Sequence, residues 1–359
     1  MRKAQTEDED LKKSRVFLVL IVLILCIASL TACSRAEQYF VYGTTLEIQS
    51  YGIKSQHTVT EIYDYISSLE SVLSPTVEGS DVNKINVAKV GEAILCQDVT
   101  MQIMRIASEV FEASDGAYDP SIYPLVRLWK FSGDLFSKAS DFTPPSDEKI
   151  ENAKRLVGLD KAFVVDYENS TITKLIDGAM LDFGGVAKGY AVQQSLTLAS
   201  DKTLVNLGGN IGAVKDDFNV GIANPQREGR EFINSYFAKF KLLSGECVST
   251  SGDYERYYVV DDGERKNVYH HIINPITGKP ADTSGSDGVV SCSVVTKDGA
   301  IGDAVATAVV VLGKEKGVQL LKKLGLKGFI IDGDMNVQTV GDFDVELKTA
   351  AFIVSEDID

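Results

Sequence analysis

The first apolar stretch of the chain runs from Val16 to Leu30, behind the basic Lys12, Lys13 and Arg15 and ahead of Thr31, Ala32 and Cys33. It is short of the roughly 20 residues that cross a bilayer comfortably, and its order of basic, apolar and small residues is that of an export signal rather than a membrane-spanning helix. From Tyr39 to Ser50 the pattern changes to β-branched and aromatic residues, which predicts a strand interrupted at Gly43. Val59, Ile62, Ile66, Leu69 and Leu73 then recur at three- and four-residue steps and predict an amphipathic helix over His57 to Leu73. The same periodicity in Ile103, Ile106, Ala107 and Val110 predicts a second helix from Thr100 to Ala113.

Pro144 and Pro145 mark a loop between Asp141 and Ser146, and Ser146, Asp147 and Glu148 offer acceptors to the free N–H groups of a following helix. Beyond Asn206 the pattern is mainly that of strands, over Asn219 to Ala223, Tyr236 to Leu243 and Val289 to Val295. A helix of small apolar residues from Asp303 to Leu312 precedes a strand from Gly328 to Asp332. There is no internal repeat, and no Pro/Gly linker divides the chain after its apolar leader.

Composition narrows the function classes. With 359 residues, 44% of them hydrophobic and 24% charged, the chain has the make-up of a globular protein with a sizeable core. A formal net charge of −15 argues against nucleic acid as a partner, because phosphate backbones are held by clustered Lys and Arg. The five cysteines, at 26, 33, 96, 247 and 292, include no C-x-x-C pair and form neither a disulfide framework nor a zinc site.

Four segments carry candidate chemistry. Asp182-Phe183-Gly184-Gly185-Val186-Ala187-Lys188 reads as a strand end turning through two glycines into a helix, whose N-terminal N–H groups suit phosphate oxygens; a tight turn with a surface lysine fits the spacing equally well. It is not a P-loop, since no Gly-Lys-Ser/Thr stands at the required spacing. Asn206-Leu207-Gly208-Gly209-Asn210 leads into a strand and reads as a β-hairpin turn rather than a dinucleotide fingerprint. His270 and His271, close to Asn274-Pro275, are groups that can take and return a proton near neutral pH, although a single loop histidine is more often bound to backbone. Asp303 and Thr307 share one helical face, and such hard oxygens suit Mg²⁺; a threonine bonded to its own helix is the commoner arrangement.

Taken in order, Tyr42-Gly43-Thr44, Leu73 to Asn86, Gly116 to Pro120, Leu128-Trp129, the Asp182 segment, Asn206 to Asn210, Ser251 to Tyr254, His271-x-x-Asn274-Pro275 and Asp303-x-x-x-Thr307 resemble the ApbE family of flavin transferases from about Tyr39 to Gly313. The resemblance implies an α+β fold of mixed helices and antiparallel-rich sheets, with two lobes around an FAD cleft. It implies that FAD is the substrate and Mg²⁺ the cofactor, and that FMN passes to a Thr or Ser of an exported acceptor flavoprotein while AMP leaves. By the same resemblance Tyr42, Thr76, Ala117, Tyr118, Asp119, Asp182 and Lys188 match FAD-contacting positions, Gly185, Asp303 and Thr307 the metal ligands, and His271, rather than His270, the catalytic histidine.

Three positions depart from the family pattern: Tyr42 stands where Met is frequent, Asn274 where Asp usually precedes Pro, and Thr76 where transferases commonly carry Tyr. Relatives altered at the Thr76 position can hydrolyse FAD, so the alternatives to transfer are an FAD pyrophosphatase giving FMN and AMP, or a flavin-binding lipoprotein without catalysis. Leu30-Thr31-Ala32-Cys33 also resembles a bacterial lipobox. That resemblance implies a signal peptide over 1–32, lipidation of Cys33, a short tether over 33–38 and a flavin transferase domain over 39–359, lipid-anchored outside the cytoplasm.

Overall fold

The computed structural model describes residues 34–133, 142–227, 229–230, 235–342, 345–347 and 354–356. The apolar leader and Cys33 lie outside them. Among the described residues no helix is long and apolar enough to cross a membrane.

The expected strand with an interruption at Gly43 is a hairpin. Tyr42 and Gly43 both have positive φ, 54° and 66°, the requirement of a tight two-residue turn between antiparallel strands. Ser34–Val41 pairs with Thr44–Tyr51 from Val41 opposite Thr44 to Ser34 opposite Tyr51. Residues 34–38, read from the sequence as tether, are therefore strand, held by a register that the turn sets.

This hairpin forms one end of a nine-stranded sheet that continues through Lys202–Leu207, Asn210–Val214, Cys247–Gly252, Val289–Thr296, Lys327–Asp332, Val337–Val340 and Val354–Glu356. Every neighbouring pair is antiparallel except the last. Gly208 and Gly209, both at positive φ, turn the Lys202–Leu207 strand into Asn210–Val214, as the hairpin reading of that segment expects.

One face of the sheet is covered by the helices Ser55–Leu73, Ala187–Ser195 and Gly299–Leu312. The five periodic residues of the first, Val59 to Leu73, are all buried. So are Ile103, Ala107 and Val110 of the helix Asp98–Ala113, while Ile106 packs at the edge of the same core. Gly299–Leu312 is buried on nearly every side, which its all-round run of Ala, Val and Gly dictates. It starts ahead of the expected Asp303, because the Asp298 carboxylate accepts the Ile301 N–H at 3.1 Å and caps it.

The opposite face packs on a three-stranded sheet of Phe218–Ala223, Tyr236–Leu242 and Val345–Leu347, with Phe237, Phe240 and Phe329 between the layers. A satellite core of Leu125, Trp129, Phe131, Ile150, Tyr258 and Ile273 holds the 123–131 segment against the hairpin of Tyr257–Asp261 and Lys266–His270. The Trp129 indole N–H closes it by donating to the Gly278 carbonyl at 2.8 Å. The architecture is the α+β arrangement of mixed helices and antiparallel-rich sheets that the resemblance implies.

Candidate active site

A cleft of about 820 Å³ opens at the junction of the helix layer, the Tyr42–Gly43 turn and the satellite core. That volume lies within the range of pockets that enclose a drug-sized or nucleotide-sized ligand. Tyr42, Thr76, Ala117, Tyr118, Asp119, Asp182, Gly185, Lys188, His271, Asp303 and Thr307, which stand far apart in sequence, all line it.

The acidic end is built by two crossing helices. A Cβ at Gly189 would lie only 2.0 Å from the Gly299 carbonyl oxygen, so the helices Ala187–Ser195 and Gly299–Leu312 meet through bare backbone. That approach puts the buried Asp303 carboxylate under the first turn of Ala187–Ser195, where its Oδ2 accepts the Gly189 N–H at 3.0 Å. The Lys188 Nζ stands 3.5 Å from the same oxygen and also donates to the Gly184 carbonyl. One helical turn on, Thr307 Oγ1 donates to the Asp303 carbonyl at 3.2 Å and lies 3.0 Å from Ser251 Oγ.

Gly185 faces this pair. A Cβ there would stand 3.4 Å from Thr307 Oγ1 and 3.1 Å from the Tyr118 ring, so only glycine brings the backbone this close without displacement. The buried Tyr118 hydroxyl has no hydrogen-bond partner among the described residues, and burial followed by the nearby Asp303 and Asp182 pushes its pKa up. The Asp303 carboxylate and the Thr307 hydroxyl, with Gly185 close by and the Tyr118 phenol beside them, offer hard oxygens of the kind that suit Mg²⁺. Among the described residues no group of three His, Cys, Asp or Glu gathers, so an ion here would complete its shell with water or ligand oxygens.

The expected strand end before Gly184 is instead an extended segment with one bridge, Met180 to Ile122. The Asn86 side chain holds it from both sides of Leu181, accepting from the N–H at 2.6 Å and donating to the carbonyl at 2.9 Å. Asp182 accepts the Gly184 N–H at 2.8 Å. Burial raises its pKa, opposed by that bond and by Lys188 and Arg256. Asp119 is engaged internally as well, with Oδ1 accepting from the Ser121 hydroxyl at 2.6 Å and the Ser121 N–H at 2.8 Å.

The two histidines separate cleanly. His270 is buried with Nε2 2.8 Å from the Ala281 carbonyl oxygen. His271 lines the cleft, its main-chain N–H donating to the Arg256 carbonyl at 3.0 Å and its Nδ1 without a partner among the described residues. Burial of the ring, followed by His270 and the cations Arg256 and Lys188, pushes its pKa down to about 3. The imidazole is therefore neutral across the physiological range and able to accept a proton.

The departure at Asn274 has a local explanation, whereas nothing in the structure explains tyrosine at position 42. Asn274 Oδ1 accepts the N–H groups of Ile276 and Thr277 at 2.8 and 3.2 Å, which needs an acceptor oxygen and no charge. Tyr42 is held at the hairpin turn by its N–H, which donates to Glu70 Oε1 at 2.9 Å. Thr76 is exposed at the cleft, its Oγ1 3.0 Å from Ser74 Oγ. Glu255, Arg256 and Phe131 also line the cleft, although the sequence assigns none of them a role. Glu255 and Arg256 directly follow the quoted Ser251 to Tyr254 motif, so position alone was their signal; Phe131 had none.

The chain is similar to known proteins over most of its length. The sequence model of the ApbE family matches residues 42–330. The chain is 30% identical to an FAD:protein FMN transferase of Treponema pallidum, over 91% of this chain and 94% of that protein. It is 27% identical to one of Vibrio cholerae, over 83% and 89%. Among solved structures, the ApbE protein of Thermotoga maritima superposes with a TM-score of 0.74 at 29% identity, covering 86% of this chain and 97% of that one. The apo flavinyl transferase ApbE of Pseudomonas stutzeri gives 0.67 at 26%, covering 84% and 91%.

Proposed function

The chain belongs to the ApbE family, and from that premise we propose that it is an FAD:protein FMN transferase, moving the FMN half of FAD onto a Thr or Ser hydroxyl of an exported acceptor flavoprotein. The observation that carries this reading is the convergence in one cleft of a neutral histidine, the Lys188 cation and the hard-oxygen set of Asp303, Thr307 and Gly185. A site that only stored flavin would need neither a proton acceptor nor a cluster suited to a phosphate-bound cation.

The acceptor hydroxyl oxygen forms a bond to the FMN-side phosphorus, the bond from that phosphorus to the AMP oxygen breaks, and AMP departs with the electron pair. His271 takes the hydroxyl proton at a free ring nitrogen, a contribution typically worth about 10² to 10⁴ in rate. Asp303, Thr307 and the Gly185 carbonyl would hold Mg²⁺, which when bound neutralises charge on the pyrophosphate. Lys188, at the start of its helix, adds a positive charge beside the same phosphates. The Tyr42 and Phe131 rings line the same cleft, and an isoalloxazine would lie against such aromatic surface.

The export signal and lipobox-like end support a mature protein that begins at Cys33 and is lipid-anchored outside the cytoplasm, where an exported acceptor is accessible. Incubation with FAD, Mg²⁺ and an acceptor flavoprotein, followed by mass measurement of the acceptor, tests the activity. The expected result is a gain of FMN less one water on a Thr or Ser, with an equal amount of AMP. FAD consumption with an unmodified acceptor would reject transfer.

A further inference from the structure

Apart from the Mg²⁺ it would hold, the cleft is poor in positive charge for the substrate it is proposed to take. Its lining carries the carboxylates Glu70, Asp119, Asp182, Glu255 and Asp303 against two permanent cations, Lys188 and Arg256. The pyrophosphate of FAD brings further negative charge, and uncompensated like charges in a partly desolvated site are costly. Lys188 is already occupied, paired with Asp303 and bonded to the Gly184 carbonyl.

Arg256 is differently placed. Its guanidinium has no ion-pair partner among the described residues, and its one hydrogen bond there runs from Nη2 to the Gly43 carbonyl at 3.0 Å. A guanidinium has five N–H donors in a planar fork, so the remainder are available to an anion within the cleft that Arg256 lines. Its main chain is also committed, because the Arg256 carbonyl accepts the His271 N–H at 3.0 Å. One residue thus touches the Tyr42–Gly43 turn with its side chain and the His271 backbone with its carbonyl.

We propose, resting on the FAD reading above, that Arg256 is a substrate-binding residue that grips a phosphate of the FAD pyrophosphate with its free N–H groups. Arginine suits this task because its fork matches phosphate oxygens in pairs, whereas lysine offers a point charge. The bond to Gly43 gives the fork a fixed orientation before substrate arrives, so less freedom is lost on binding.

The test compares the wild-type protein with Arg256→Ala and Arg256→Lys, each checked for an unchanged circular dichroism spectrum, in binding titrations with FAD, FMN, ADP and riboflavin. Loss of a charge-assisted phosphate contact predicts roughly 10- to 100-fold weaker binding of FAD by Arg256→Ala. Riboflavin, which has no phosphate, should bind within about twofold of wild type, and Arg256→Lys should recover only part of the loss. The monophosphate FMN and the diphosphate ADP separate the two phosphates, and a loss confined to either supports the proposal. Equal weakening of riboflavin and FAD would overturn it, since a mere latch on the Tyr42–Gly43 turn harms flavin binding as a whole. Unchanged FAD affinity would overturn it too. Failure of the wild-type protein to bind FAD at all would sink the parent reading instead, so the two failures are distinguishable.

Discussion

The Lys188 ammonium stands 3.5 Å from the Asp303 carboxylate, on the same oxygen that accepts the Gly189 N–H. The buried carboxylate meets a neighbouring cation and a helix-start amide through this one oxygen, leaving its other oxygen for a further positive partner. Asp303→Asn retains an oxygen for Gly189 and removes the charge. We expect its melting temperature to stay near wild type while metal-dependent turnover falls by at least about 100-fold, the scale of losing several kcal/mol of charge stabilisation. A magnesium titration that superposes on the wild-type curve would remove Asp303 from the metal site.

His271 and His270 make opposite predictions despite being neighbours. His271→Ala should lower single-turnover transfer by about 10² to 10⁴ while FAD still binds. His270→Ala should act on stability first, because that ring is buried against the Ala281 carbonyl. The pH profile gives an independent check. With the His271 pKa pushed down to about 3, the neutral base form is present above that value and is lost as pH falls through it. The acid limb of kcat/KM, which reports the free enzyme, should show no histidine inflection near 6.5. Bound phosphate offsets the cations that depress this pKa, so the acid limb of kcat should lie at higher pH than that of kcat/KM. A limb near 6.5 in kcat/KM would contradict the environment described for His271.

The glycine crossing beneath the site is testable through stability. A methyl group at Gly189 would meet the Gly299 carbonyl oxygen at 2.0 Å and the Asp303 Cβ at 2.8 Å. Both are held by helix packing, so Gly189→Ala should cost about 1–3 kcal/mol or more and displace Asp303. Gly79→Ala is not a suitable control despite its open surroundings, because its φ is +81°. Ser108→Ala, on a helix and away from the cleft, is a better one. Thermal melts showing Gly189→Ala as stable as that control would mean the helices do not meet this closely.

Much of the fold is legible in the sequence wherever one periodic pattern decides an element. The stripe from Val59 to Leu73 is buried as its spacing requires, and the glycines at 208 and 209 form the hairpin turn that the following strand demands. Elements set by tertiary context are not legible in this way. The Tyr42 side chain conceals a tight turn because a tyrosine at positive φ is uncommon, and the segment around Leu181 looks like a strand although the Asn86 side chain satisfies both main-chain groups of Leu181 and only one bridge, to Ile122, flanks it. In the cleft, segments bearing motifs were readable through resemblance. Arg256 became visible only once the Tyr42–Gly43 turn and His271 were seen to meet it.

The proposed membrane attachment depends on Cys33. Its substitution by Ala should leave the protein in the soluble fraction or block processing of the leader, as read by fractionation and by the mass of the mature chain. A Cys33→Ala protein that is still cleaved after Ala32 and sediments with membranes would refute lipidation at this residue.

Thr76 bears on which nucleophile reaches phosphorus. It is exposed at the cleft, and a Cβ on Gly133 would lie 3.5 Å from its methyl group, so the 74–76 and 132–133 loops approach each other here. An aromatic ring at position 76 would cover the flavin and exclude water, whereas threonine leaves space that water can enter. Some FAD hydrolysis is therefore expected beside transfer. Thr76→Tyr should lower the ratio of free FMN to acceptor-bound FMN and hold or improve FAD affinity through the added stacking surface. Separation of free from protein-bound flavin after a single incubation measures the ratio, and a parallel incubation without acceptor measures hydrolysis alone. Tyrosine acting by water exclusion must lower both readings together. If the ratio is unchanged or rises, the side chain at 76 does not control water access, and the partition is set by how the acceptor hydroxyl is held near His271.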